Sequence, residues 1–509
     1  ILFWVCFRIY QRDKALGVYL GMLYTICSLG LIFYINFADG TGSEKGQYLN
    51  WIQQGRPGQG PPLVHMEVRE RDYFFTPAFI IMSILYGMGI GLFLLGLWEK
   101  GKQQLVKPWA VTALVLTAFI PGYSNWKEHN RTGLYVPWDY AYNLINSCQP
   151  NSILFTNGDN DTFPLWFIQE VEGIRKDVRV VNLSLGNTPW YVSQILSQEP
   201  KKKLNTISRL PSLDLLRPTG DKQQNIDQAK KLRDRLLQII PQQMAQIESV
   251  TNAKSRDSII LANPGLDIDA AKAKAEQNLV SMKNDLQMFN AMANWGEKTM
   301  QRIPYMRVQD QLIIDLVRSN PKTPIHFATT VGSEHYVGLE QYMNMDGMVW
   351  TLNRSELKPQ GKVRIAETEA LVDSVYKFRG LGDGTTYINP ETMRLLYNYN
   401  SIYIRLALEY RTKIVESQTK GESANVAKYL AKGMKYLSKG MAQFPKEWRN
   451  YVVGSELYTM AGQQDKAQAI LNKGLANVDD WDAKPIEDQL RKLSQIMPQL
   501  APQIPQANP

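Results

Sequence analysis

The run Asn-Gly-Asp-Asn-Asp at residues 157–161 sets Asn157, Asp159, Asn160 and Asp161 within one short loop. Closely spaced carboxylates and amides are oxygen ligands, suited to chelating sugar hydroxyls or a hard divalent cation. A plainer use fits as well. Asp161 directly precedes TFPLWFIQ, where its carboxylate can accept the orphan N–H groups of a helix start and gain from the helix dipole. A phosphate suits this loop poorly, because two carboxylates would repel it. A second group, Arg69 and Arg71 in MEVRERDYFF, stands just before an apolar segment. Guanidinium forks match phosphate oxygens two at a time, so these residues could hold the phosphate of a lipid carrier at headgroup level. The alternative is an interfacial anchor with Glu67, Glu70 and Asp72 as neighbours.

The remaining chemistry is sparse. His65, His129, His326 and His335 lie in unrelated contexts, and none has a partner at ligand spacing. No P-loop, dinucleotide fingerprint or nucleophile elbow is present. Cys6 and Cys27 fall in apolar segments and Cys148 stands apart, which leaves no zinc cluster and no disulfide framework in the soluble part. No cofactor and no resident metal are expected, although a divalent cation at the aspartate loop stays open.

The aspartate loop needs a frame, and the flanking residues supply one. SILFT, the loop, the amphipathic TFPLWFIQEVEGIR and then KDVRVVNLSL read as strand, loop, helix, strand. A parallel βαβ unit presents its first loop at the carboxyl end of the sheet, where open α/β sheets bind ligands. Further on, RVQDQLIIDLVRSNP reads as a helix stopped at Asn320 and Pro321, followed by the strands IHFATTV and GMVWTL. A soluble α/β domain with a parallel-type sheet is therefore expected over residues 123–375, with a helical insertion at 201–300.

Upstream, the chain changes character. Ala15 to Ala38 and Phe74 to Trp98 carry no charge, and Pro108 to Trp126 forms a third uncharged stretch. A membrane-spanning helix needs about 20 apolar residues. Spans are expected at about 15–38, 74–98 and 106–122, with residues 1–8 as the end of a truncated one, making 1–122 a transmembrane region. The chain is accordingly expected to lack an amino-terminal portion. Arg8, Arg12, Lys14, Lys100, Lys102 and Lys107 flank two turns, whereas the loop 39–73 is charge-balanced. The positive-inside rule then puts that loop, and the large soluble part, outside the cytoplasm.

Beyond Thr392 the pattern is helical and repeats at a shift of 34 residues, aligning Gly433 with Ala467, Leu437 with Leu471 and Gly440 with Gly474. Pro445 and Tyr458 also fit the tetratricopeptide pattern. Residues 390–500 are thus expected to form TPR-like helical repeats, an array whose concave face holds peptides or partner proteins. The net charge of +9 could suggest nucleic acid, but no Arg/Lys stripe interleaved with aromatics accompanies it, and nucleic acid is excluded as a partner.

The run from YAYNLINSCQPNSILFTNGDNDTFPLWF to VRVVNLSL resembles the bacterial domain-of-unknown-function family 2723, as do EVRERDYFF, PIHFATTV, YVGLEQYMNMDGMVWTL and FRGLGDGTTYINPETMRLLYNY. The resemblance covers about Gly17 to Leu408. That family is similar to eukaryotic transmembrane protein 260, a protein O-mannosyltransferase. The resemblance implies a polytopic glycosyltransferase of the GT-C type in a bacterial inner membrane, with its soluble part in the periplasm. It implies a polyprenyl-phosphate sugar, mannose-like, as donor, and a protein or glycan acceptor held by the tail. The general-base carboxylate of such enzymes lies in the first outer loop. It maps to no position here and is expected upstream of residue 1. A membrane-anchored binding or assembly protein without catalysis is the other class that the same features fit.

Overall fold

A computed structural model describes residues 2–31, 75–197, 222–252, 267–299, 306–357, 361–384 and 386–496, with 256, 258–259, 262 and 265. The loop 39–73, and with it Arg69 and Arg71, lies outside the described residues, as does 201–221. Two compact units divide the chain, one of residues 1–131 with 389–392 and the other of 132–388 with 393–509.

The first unit is helical: α1 (Leu2–Arg12), α2 (Lys14–Thr25, continuing as a π-turn over Ile26–Gly30), α3 (Thr76–Glu99) and α4 (Gln103–His129). Helices α3 and α4 are long and apolar enough to cross a membrane. α4 contains Pro108 and Pro121. The apolar helix over Lys14–Gly30 is shorter, and the rest of the expected 15–38 span lies outside the described residues. Close approach rests on small residues, as is usual where helices meet without water. A Cβ on Gly89 of α3 would come within 2.6 Å of a Val5 methyl, and one on Gly17 of α2 within 2.5 Å of the Tyr10 backbone.

The second unit is built on a five-stranded sheet in the order β2-β1-β3-β5-β4. Its strands are β1 (Ile153–Thr156), β2 (Arg179–Asn182), β3 (Ile325–Ala328), β4 (Met343–Asp346) and β5 (Val349–Leu352). β1 lies parallel to β2 and to β3, but β5 runs antiparallel to both β3 and β4. The expected parallel-type sheet is therefore a mixed one. The reason is local: Gly347-Met348 turns MNMD back on VWTL as a hairpin, with Gly347 at φ 57°, the positive value its first loop position needs.

Helices α5 (Val136–Asn146), α6 (Asp159–Glu170) and α7 (Pro189–Ser197) surround the first strands. Two long helices, α8 (Lys222–Thr251) and α9 (Ile268–Thr299), pair with each other, and α10 (Val308–Ser319) leads into β3. After α11 (Ile365–Ala370) come α12 (Pro390–Thr419), α13 (Ser423–Gln443), α14 (Trp448–Met460), α15 (Gln464–Leu475) and α16 (Asp480–Ile496). One core joins the sheet to α12: Phe155, Phe327, Leu144, Leu312, Tyr399 and Tyr403 are all buried in it. In the tail, the residues of the 34-residue repeat (433 to 467) fill helix contacts. Ala467, Leu437 and Leu471 are fully buried, and Cβ atoms on Gly433 and Gly474 would meet Leu457 and Tyr451 at 2.8 Å.

His326 illustrates how the sheet holds its polar groups. Its Nε2 accepts the Gln149 N–H at 3.0 Å, so the proton sits on Nδ1, 2.9 Å from the Thr351 hydroxyl. Thr351 donates onward to Asp346, which is paired with Arg364. Burial, aided by Arg364, pushes the imidazole pKa down from 6.5 to about 3. Between those values the unfolded chain binds the extra proton, so stability must fall as pH drops through that window and be flat above it. Every tenfold difference in proton affinity between the folded and unfolded chain is worth about 1.4 kcal/mol. His335, also held down by burial, adds in the same direction. Urea midpoints measured from pH 7.5 to 4 are expected to decline below about pH 6.5. A level profile over that range would contradict the neutral, buried His326.

Candidate functional site

The chain leaves β1 through α6 toward β2 on one side, while β3 flanks β1 on the other. A crevice at the carboxyl ends of β1 and β3 is the expected result of that divergence. The loops that meet there are 157–161 and 329–335.

Asp161 ties them together. Its carboxylate accepts the N–H groups of Asn157 and Gly158, each at 3.1 Å, and the hydroxyls of Thr330 and Thr162. It is 2% exposed. Asp161 thus caps α6 from its third position and fastens the loop to the segment after β3. Thr162 donates to the Gly158 carbonyl at 2.5 Å and contacts Thr156, and Asn182 at the end of β2 reaches both the Gly158 carbonyl and Thr162. Ser184 donates to the Asn157 carbonyl at 2.5 Å. The loop is held from all three parallel strands.

Of the four residues singled out by spacing, Asp159 and Asn160 face solvent, Asn157 is half-buried and Asp161 is buried. Among the described residues Asp159 Oδ1 accepts only the neighbouring Asn160 N–H, at 3.0 Å. Phe163, one turn along α6, is 54% exposed and stacks on Trp166 at 5.4 Å, so an open aromatic face adjoins the free carboxylate. A free carboxylate, a free amide and an aromatic face can together bind a polyhydroxylated ring, by hydrogen bonds at its rim and contact across its C–H face. Among the described residues no three His, Cys, Asp or Glu side chains converge as a metal site.

A second cluster beside these loops was invisible to spacing arguments. Gln309, at the start of α10, sits 2.6 Å from His335 Nδ1 and 2.7 Å from Asn187. The amide orientation that satisfies it turns its oxygen toward His335 and Arg307 and its nitrogen toward the Leu183 carbonyl. His335 then carries its proton on Nδ1, and its Nε2, 3.5 Å from Glu334 Oε1, receives no donor among the described residues. Burial, with Arg307 nearby, keeps its pKa below the usual histidine value. Arg307 is committed to the fully buried Asp310 at 2.8 Å and to the Glu334 carbonyl. A neutral imidazole of this kind can take a proton from a hydroxyl. Gln309 and His335 are 26 residues apart, and only the meeting of α10 with the loop after β3 pairs them.

Asp139 of α5 anchors the later FRGLGDG segment by accepting from the Arg379 backbone and guanidinium, while Arg379 stacks over Tyr135 at 4.0 Å. Residues 137–369 match the family model described as TMEM260-associated domain 2. The match supports a TMEM260-related family and spans the sheet, the aspartate loop and the Gln309–His335 cluster. No curated protein and no solved structure matches the chain.

Proposed function

We propose that this chain is the carboxyl-terminal part of a polytopic membrane glycosyltransferase of the GT-C type. It transfers a mannose-like sugar from a polyprenyl-phosphate donor to a protein or glycan acceptor. The observation that carries the reading is the TMEM260-associated domain following, within a few residues, two helices long enough to cross a bilayer. In this reading Asp159 and Asn160 contact the sugar or acceptor, with Asn157 and Asp161 shaping the loop. Arg69 and Arg71 hold the lipid phosphate. An apolar groove of about 600 Å³ between Trp4, Phe93, Trp109 and Leu116 offers the isoprenoid chain a seat. The tail is a TPR-like array that presents the acceptor. The membrane is a bacterial inner membrane, with the soluble unit in the periplasm, and the general base comes from an outer loop preceding residue 1.

The test uses the full-length protein in membranes with radiolabelled polyprenyl-phosphate mannose. Replacing both Arg69 and Arg71 by Ala is expected to abolish transfer, and Asp159→Asn to reduce it about tenfold, the value of one charged hydrogen bond. Transfer at the wild-type rate in the double variant would eliminate the phosphate role. A binding protein without catalysis is the second reading, favoured by the complete engagement of Asp161 in its own cap. It requires that no sugar transfer be detected at all.

A further inference from the structure

Along α6, Phe163, Phe167 and Val171 recur every fourth residue and are 54, 48 and 70% exposed. That spacing stacks them on one side of the helix, away from the fully buried Leu165 and Ile168. Trp166 carries the face sideways: its ring lies 5.4 Å from Phe163 and 6.3 Å from Tyr191, whose neighbour Trp190 is 56% exposed at the start of α7. At the far end of α6, Glu172 accepts the indole N–H of Trp138 from α5 at 2.7 Å. Trp138 stacks on Tyr142 at 5.0 Å, and the Lys377 ammonium sits over both rings, 4.6 and 4.2 Å from their centres. Lys377 meets no carboxylate among the described residues.

A continuous apolar face left bare on a folded unit marks a contact. Aromatic rings edged by a cation are the composition of a bilayer interface, where rings lie at headgroup depth and an ammonium group meets lipid phosphate. Chain length brings a bilayer within reach of this face. α4 ends at His129 and α5 begins at Val136. A connection of that length spans at most about 25 Å, and α5 packs directly on α6.

We propose that the exposed face of α6 and α7 lies on the surface of the bilayer. Phe167, Val171 and Trp190 enter the boundary between headgroups and acyl chains, and Lys377 pairs with the phosphate of an anionic lipid. The aspartate loop, at the first turn of the same helix, is thereby held at headgroup level, where the sugar of a polyprenyl-phosphate donor stands.

The inference takes α4 as a span from the reading above, and its test separates the two. The full chain, with Cys6→Ser and Cys27→Ser, carries an environment-sensitive NBD label on one introduced cysteine. It is reconstituted in nanodiscs of phosphatidylcholine and phosphatidylglycerol, with and without bromine on the acyl chains. Labels at Phe167→Cys and Trp190→Cys are expected to emit to the blue and to lose intensity in the brominated discs. A label at Val415→Cys, an exposed position on α12 outside this face, should do neither. Lys377→Gln should reduce the quenching at Phe167→Cys to the level found in discs of phosphatidylcholine alone. A label at Leu114→Cys, 70% exposed on α4, reports on the span itself. Absence of quenching at both Phe167→Cys and Trp190→Cys overturns the proposal, whether or not Leu114→Cys is quenched. Blue emission without quenching by bromine also overturns it, since a protein such as a second copy would then cover the face. Quenching at Phe167→Cys and Trp190→Cys but not at Leu114→Cys would uphold the docking and sink α4 as a span.

Discussion

Asp161→Ala is expected to cost the second unit about 3 kcal/mol, the sum of a lost helix cap and of buried donors left without acceptors. The substitution strips acceptors from two backbone N–H groups and the Thr330 hydroxyl at once. It should also release the aspartate loop from the segment after β3, so that Asp159 and Asn160 lose their fixed position. Asp159→Ala is the internal control. That carboxylate is exposed and, among the described residues, accepts only the adjacent Asn160 N–H, so its removal should change stability by less than about 0.5 kcal/mol. Urea denaturation followed by near-ultraviolet circular dichroism measures both. Equal effects of the two variants would remove the distinction between a positioning Asp161 and a ligand-facing Asp159.

Gly338→Ala should be more severe, at about 4 kcal/mol or above, in the range reached when a backbone position is both strained and overpacked. Gly338 has φ 78°, where a side chain is disfavoured, and a Cβ would come within 2.0 Å of the Ala291 carbonyl oxygen and 2.8 Å of Trp295 Cβ. Those atoms belong to the backbone and root of α9, and no rotamer change moves them aside. Relief requires α9 to separate from the loop that carries Glu334 and His335. The variant should therefore show faster amide exchange in 288–299 as well as a lower urea midpoint. A midpoint within the error of wild type would mean that α9 does not bear on Gly338 as described.

Much of this architecture was legible from local pattern. SILFT and VRVVN announced β1 and β2 because β-branched runs bounded by turn residues have few other uses, and α10 ends before Asn320 and Pro321 as its stop signals require. The hairpin of β4 and β5 was missed because MNMD lacks the β-branched residues by which strands are recognised, and its two-residue loop, Gly347-Met348, is not one of the Asn-Gly or Asp-Gly pairs that mark such turns. That omission turned a mixed sheet into an expected parallel one. The aspartate loop was found by spacing, and the position of Asp161 ahead of TFPLWFIQ already offered it as a helix cap, but a ligand role for it stayed equally open. What decided between the two uses is that Asp159 points to solvent while Asp161 also meets Thr330, 169 residues on.

The sequence by itself determined the local facts about this protein: apolar helices ahead of a strand–loop–helix–strand unit, an oxygen-rich loop at a strand's carboxyl end, and a 34-residue helical period. Such features depend on neighbours within one turn or one strand. Only the tertiary structure decided which polar groups are already satisfied. It spent Asp161 on a cap and left Asp159 open, paired Gln309 with His335, and neutralised Lys446 and Arg449. The physical reason is that a hydrogen bond or ion pair between distant segments depends on how the elements pack. Whether a side chain is free to meet a ligand is settled by those long-range partners.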